Sequence, residues 1–226
     1  MRSPVDVALA DLAHCLDALG IRWFLFGGQA AIIYGSTRVT EDIDVTIELG
    51  ACTPRRLVSA VLRKGFALRA GTTAALVERD RVLPIVHTAS SIPVDIVFAG
   101  PGLEESFLAR RQEHQREGTR IPVASPEDLI VMKILAGRPR DVDDIRAVLR
   151  ATKSTLDVAH IRETLALLEQ ALGQSDLLPL LAGLRREAAR LPGVSPPARV
   201  AAPAAKRGVE RRTPAKRKQP VRKTKR

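Results

Sequence analysis

The sequence predicts an α/β body that carries a helical C-terminal lobe and ends in a disordered basic tail. Three observations predict it. Short apolar runs of strand character dominate the first half of the 226 residues, and helix patterns fill the second. The helix opening Ser-Pro-x-acid occurs twice, at Ser3 and Ser125. After Leu191 the composition turns to Pro, Ala, Lys and Arg without apolar periodicity, so too little surface can be buried to offset the entropy of ordering. The expected units are a body over 1–124, a helical lobe over 125–191 and the tail over 192–226.

Each element has a local reason. Ser3 caps, Pro4 occupies the first helical position and Asp6 supplies the first-turn acid. Val5, Leu9, Leu12, Leu16 and Leu19 then recur at helical spacing until Gly20 stops the helix. Ile21 to Phe26 is a short apolar strand running into Gly27-Gly28, and a small-residue helix starts directly after those glycines. "EDIDVTIEL", 41–49, is a second strand, and Thr53-Pro54 open a helix to about Lys64, closed by Gly65. "RVLPIVHT" and "IPVDIVFA", joined by "ASS", form a hairpin. A helix is expected from Leu103 to Gln112, then a short strand "TRIPVAS". "SPEDLIVMKILAG", "DVDDIRAVLR", "LDVAHIRETLALLEQALG" and "DLLPLLAGLRREAARL" are the helices of the lobe.

Composition excludes several classes. Hydrophobic residues make up 45% and aromatics only 3%, so the core must be built from Leu, Val, Ile and Ala. No apolar run approaches the roughly 18 residues of a membrane span. Asp6, Asp11 and Asp17 are incompatible with a signal peptide. Cys15 and Cys52 form neither a disulfide framework nor a metal pattern, which makes a reducing cytoplasm the expected setting. His14, His87, His114 and His160 lack ligand spacing. The net charge is +11, yet twelve of the 36 Lys/Arg and one of the 25 Asp/Glu lie from Arg199 onward. The rest of the chain holds 24 of each sign, so all the basicity sits in the tail, where it suits a phosphate polyanion.

The chemistry concentrates at two aspartates inside an apolar run. On a strand, Asp42 and Asp44 share one face while Ile43, Val45 and Ile47 point into the core. Two such carboxylates repel and lose hydration unless a cation completes their surroundings. Asp95 interrupts another apolar strand, with Val94, Ile96 and Phe98 on its opposite face. Three converging carboxylates make the oxygen-rich site that Mg²⁺ requires and that two-metal phosphoryl transfer uses. Gly27-Gly28 let the backbone approach a phosphate closely, and Arg38 is placed to reach the same phosphates.

"GGQAAIIYGSTRVTEDID" followed by Asp95 in "VDIV" resembles the DNA polymerase beta-type nucleotidyltransferase superfamily. "SPEDLIVMKILAGRPRDVDDI" is similar to the helix-borne Lys, then Arg-Asp, of its AbiEii-like toxin branch, and a similar segment occurs in aminoglycoside-adenylylating enzymes. The resemblance covers Phe24 to Leu149. The gap between Gly-Gly and the Asp pair is longer than in the shortest family pattern, and Gly28 stands where some members have Ser. It implies a nucleotidyltransferase-type mixed sheet flanked by helices, with 1–124 as the catalytic domain. It further implies that Asp42, Asp44 and Asp95 hold Mg²⁺, Asp95 also helping to deprotonate an acceptor hydroxyl. Gly27 and Gly28 would cradle the triphosphate of the NTP co-substrate, Lys133 would neutralise nucleotide phosphate, and Asp141 would sit near it. Arg140 and Asp144 are further candidates.

The expected activity is transfer of NMP from an NTP to a hydroxyl. The toxin-like branch implies modification of an RNA end, that of tRNA, and a cognate antitoxin that holds it in check. The other adenylylates a small polycationic antibiotic. The basic tail, 199–226, favours an RNA acceptor because it concentrates a polyanion and repels a polycation. A non-catalytic binding module and a D-x-D glycosyltransferase are the remaining alternatives, and the complete Asp42, Asp44 and Asp95 set argues against the first.

Overall fold

A computed structural model of the chain describes residues 2–190. The tail expected over 192–226 lies outside the described residues. Helix α1 (Pro4–Ala18) starts as expected, Ser3 Oγ accepting from the Asp6 N–H. Its spaced apolar residues Val5, Leu9, Leu12 and Leu16 are buried. Strand β1 (Arg22–Phe26) follows, then α2 (Gly27–Ile33), β2 (Ile43–Glu48) and α3 (Pro54–Arg63). Next come β3 (Phe66–Leu68), α4 (Ala74–Asp80), and the hairpin β4 (Val82–His87) and β5 (Ile92–Phe98). After α5 (Leu103–Arg110), strands β6 (Gln112–Arg116) and β7 (Thr119–Val123) complete the sheet. The second half is helical, with α6 (Pro126–Ala136), α7 (Pro139–Ala151), α8 (Val158–Leu172) and α9 (Leu177–Arg190).

The seven strands form one mixed sheet in the order β3-β4-β5-β2-β1-β7-β6. β2 runs parallel to β5, and β1 parallel to β7, while the remaining neighbours are antiparallel. Among the described residues nine helices flank it. The α/β class, the mixed sheet and the helical second half therefore stand as expected. A single core runs from Phe24, Ile43 and Ile96 in the sheet through Ile130 and Ile134 of α6 to Leu181 of α9. The lobe thus shares its core with the body.

Several local expectations change. The helix after the glycines includes them, because the first turn begins at Gly27 itself. β2 begins at Ile43, which leaves Asp42 in the preceding loop. The helix expected to reach Gln112 ends at Arg110, and residues 112–116 form β6, whose "QEHQR" carries no apolar alternation. A polar strand of this kind suits a sheet edge, where apolar residues would invite pairing with another chain. β3 has three residues and α4 buries none of its own, so neither leaves an apolar period to detect.

Phe24 is fully buried at the centre of the sheet, its ring edge-on to Phe26 at 6.3 Å between centroids. Truncation there loses transfer energy and leaves a cavity. Phe24→Ala should lower the unfolding free energy by about 3–5 kcal/mol, read as a shifted urea midpoint with an unchanged slope.

Candidate active site

The sheet register brings two carboxylates level. β2 and β5 pair in parallel with Asp44 opposite Asp95, so both side chains leave the same face of adjacent strands. On the other side of β2, Phe26 pairs with Asp44, which puts Gly27 directly against that carboxylate. Gly27 has φ +68°, and a Cβ there would lie 2.0 Å from Asp44 Oδ2. At Gly28 a Cβ would lie 2.2 Å from an Arg38 guanidinium nitrogen. Both glycines are thus needed for close approach, the first also for its backbone conformation.

A cleft of about 290 Å³ opens above this row. Gly27, Gly28, Asp42, Asp44 and Asp95 border it from the body, and Lys133, Arg140 and Asp141 from the lobe. Arg38 borders it from the loop after α2. Every residue singled out in the sequence except Asp144 therefore lies on one cleft. Asp144 stands behind the wall, fully buried. Two further residues at the cleft, Arg69 and Arg138, were not legible in the sequence. Arg69 follows the three-residue β3, in a segment without periodicity, and Arg138 precedes a helix that starts two residues before Asp141.

The lobe wall is held by a buried ion cluster. Lys133, only 4% exposed, donates from Nζ to Asp141 Oδ1 at 3.0 Å and to Asp144 Oδ2 at 2.7 Å. Ser36 Oγ donates to Asp144 Oδ1 at 2.8 Å, and Arg138 Nε to Asp141 Oδ2 at 2.6 Å. Arg38 Nε lies 3.6 Å from Asp144 Oδ1 without a hydrogen bond. The cluster ties α6 and α7 to the loop beyond α2. Burial pushes the Asp141 carboxyl up, but hydrogen bonds from Arg138 and Lys133 outweigh it and hold the group below its ordinary value.

The acids on the sheet are in the opposite condition. Burial, then the charges of Asp95 and Asp42, push Asp44 up to about 6. Asp95 is also raised by burial, although Arg69 opposes the shift through an ion pair with Oδ1. Carboxylate oxygens are the donors a hard divalent cation takes, and added positive charge would relieve the strain on Asp44. The close backbone at Gly27 leaves room beside that carboxylate that any Cβ would fill. The residues therefore fit such an ion in type. Among the described residues, however, no three His, Cys, Asp or Glu side chains are gathered closely enough to hold one. Asp95 is instead engaged by Arg69.

A carboxyl whose folded pKa exceeds its unfolded value near 3.9 is best tolerated when protonated. Its contribution to stability is present below about pH 4 and is lost as the pH rises through 6. Asp44→Asn should therefore raise the melting temperature at pH 8 in metal-free buffer and leave it nearly unchanged at pH 4, measured by differential scanning fluorimetry. Lys133→Ala leaves two buried carboxylates without their shared cation. It should cost about 3–5 kcal/mol in chemical denaturation, whatever its effect on activity.

A family model described as "Nucleotidyl transferase AbiEii toxin, Type IV TA system" matches residues 10–216. The chain is similar in fold to the antibiotic-resistance factor ANT(2″)-Ia in its solution structure, with a TM-score of 0.51 and 18% identity. That alignment covers 75% of this chain and 94% of the other. An antigenic nucleotidyltransferase-like protein from Paracoccidioides brasiliensis aligns at TM-score 0.46 and 21% identity, over 79% and 92% of the two chains. The lincosamide adenylyltransferase LnuA, lincomycin-bound, aligns at 0.47 and 13%, over 69% and 99%. No curated protein matches the sequence. With the family profile spanning most of its length, the chain belongs to the AbiEii toxin family and is a nucleotidyltransferase.

Proposed function

We propose that the protein transfers NMP from an Mg²⁺-bound NTP to the hydroxyl of an RNA end, as the toxin component of a toxin–antitoxin pair. The observation that carries the reading is the cleft itself, with Asp42, Asp44 and Asp95 on the body facing Lys133, Arg138 and Arg140 on the lobe. In the reaction the acceptor oxygen attacks the α-phosphorus, the α–β anhydride bond breaks, and pyrophosphate leaves with its electron pair.

Asp42 and Asp44 would hold the cation, with Asp95 as the third ligand. The bound cation supplies neutralisation of charge on the attacking and departing oxygens. Gly27 and Gly28 let the triphosphate approach the backbone, and Arg38, beside Gly28, meets the same phosphates. Lys133 is fixed at the cleft wall by Asp141 and Asp144, which also offset its charge, so Arg38, Arg138 and Arg140 supply most of the positive charge a phosphate would meet there. Asp95 stands at the far side of the row from Gly27 and accepts the proton of the attacking hydroxyl. Its raised pKa suits it to hold one.

The acceptor class rests on charge. Residues 199–226 carry the chain's entire net charge of +11, which concentrates a nucleic acid and repels a polycation. Purified protein, Mg²⁺ and each α-labelled NTP should label unfractionated tRNA, and the label should disappear with EDTA. Asp42→Ala/Asp44→Ala should lower the rate by about a thousandfold or more, because charge stabilisation carries most of such catalysis. Deleting residues 192–226 should weaken tRNA binding and flatten its salt dependence. Label appearing on aminoglycosides instead of tRNA would sink the RNA assignment in favour of a small-molecule adenylyltransferase.

A further inference from the structure

We propose that a second cavity, sharing Asp95 and Arg69 with the catalytic cleft, receives the acceptor, and that Arg69 and Thr72 bind the phosphodiester next to its reacting hydroxyl. This inference rests on the nucleic-acid reading above. The cavity holds about 500 Å³ and lies between α4 and the outer part of the sheet. Its position follows from register. Asp44 is level with Asp95 on β5, and Asp95 is level with Pro84 on β4, so the three residues form one row across three strands. Gly27 abuts the Asp44 end of that row, while the second cavity adjoins its Pro84 end. A nucleotide on the glycine side and an acceptor on the proline side would meet at Asp95. In-line transfer with that carboxylate as base requires such a meeting.

The chemistry of the walls selects the acceptor. Val82 and Pro84 of β4 and Leu76 and Val77 of α4 supply an apolar surface for a base or ribose. Both carboxylates at the cavity are already matched to arginines. Asp95 pairs with Arg69, and Asp80 with Arg79 Nε at 2.6 Å. No unpaired acid among the residues bordering it is left for the ammonium groups of a polycation. Arg69, in contrast, is 40% exposed, and its planar fork can exchange a carboxylate for a phosphate. Thr72 Oγ1 is buried without a hydrogen-bond partner, an uncommon condition for a hydroxyl. Thr72 borders this cavity, and a turn of its side chain would bring Oγ1 to a phosphate or ribose hydroxyl bound there.

The same arginine links the two sites. Acceptor phosphate and Asp95 compete for the Arg69 guanidinium, so an acceptor that takes it releases the carboxylate to the cation. By reciprocity the acceptor strengthens metal binding and metal strengthens acceptor binding, both through Arg69.

The test compares wild type with Arg69→Ala, Arg69→Lys and Thr72→Val in label transfer to unfractionated tRNA, beside Mn²⁺ titration without nucleotide or RNA. Loss of one charge-assisted contact should raise the KM for tRNA about tenfold or more in Arg69→Ala. Arg69→Lys should rescue part of it, and Thr72→Val, which leaves the Arg69–Asp95 pair in place, should raise it severalfold with its own KM for NTP unchanged within about twofold. Mn²⁺ affinity should rise in Arg69→Ala, since Asp95 loses its competitor. An arginine that merely supported the fold would weaken both ligands and lower the melting temperature, which overturns the proposal. An unchanged KM for tRNA in both Arg69→Ala and Thr72→Val, while wild type labels tRNA, overturns the cavity assignment and leaves the RNA reading intact. Wild type that labels only a small cationic acceptor, or no acceptor, overturns both.

Discussion

The buried ammonium of Lys133 is the constraint on which the rest of the site depends. Removing one lysine and two aspartates from water costs several kcal/mol per ion unless each finds its partners. Here the cost is offset only if α6, α7 and the loop carrying Ser36 and Arg38 come together. The cluster therefore specifies how the lobe sits against the body. That placement also creates the cleft, because Lys133 and Asp141 form its far wall while Asp144 closes the back. An apolar cluster of similar volume would hold the helices together equally well. It would present no charge to a phosphate.

The two walls differ in how well their charges are satisfied. On the lobe, hydrogen bonds from Arg138 and Lys133 outweigh the burial of Asp141 and hold its carboxyl low. On the sheet, Asp44 is buried beside the like charges of Asp95 and Asp42, and its carboxyl is held high. A nucleotidyltransferase can use this asymmetry. The satisfied side is held by its ion pairs, whereas the unsatisfied side carries an electrostatic tension that, under the proposed function, a cation and its triphosphate would relieve. Arg69 partly satisfies the sheet side by pairing with Asp95, and it does so at an exposed position from which it can leave.

Local signals were enough for much of this. The cap of α1 follows from Ser3, Pro4 and Asp6 alone, because the Oγ to N–H bond spans three residues. Gly137 ends α6 with φ +62°, as a left-handed cap requires. Asp44 and Asp95 were legible because each breaks an apolar run at a position of opposite parity to its buried neighbours, and parity is a property of the strand itself. Arg69 left no such trace. Its pairing with Asp95 depends on β3 joining β4 at the sheet edge, a contact between short segments without an apolar period.

The sequence by itself determined the α/β class, the caps, the faces of the strands and the residue types of the site, since all of these depend on interactions over a few residues. Only the tertiary structure decided that Asp44 and Asp95 stand level, that Asp42 precedes its strand, that Lys133 is buried between two aspartates and that Arg69 closes on Asp95. Each of these depends on register between strands, or on desolvation by elements distant in the chain. Neither is written in the spacing of neighbouring residues.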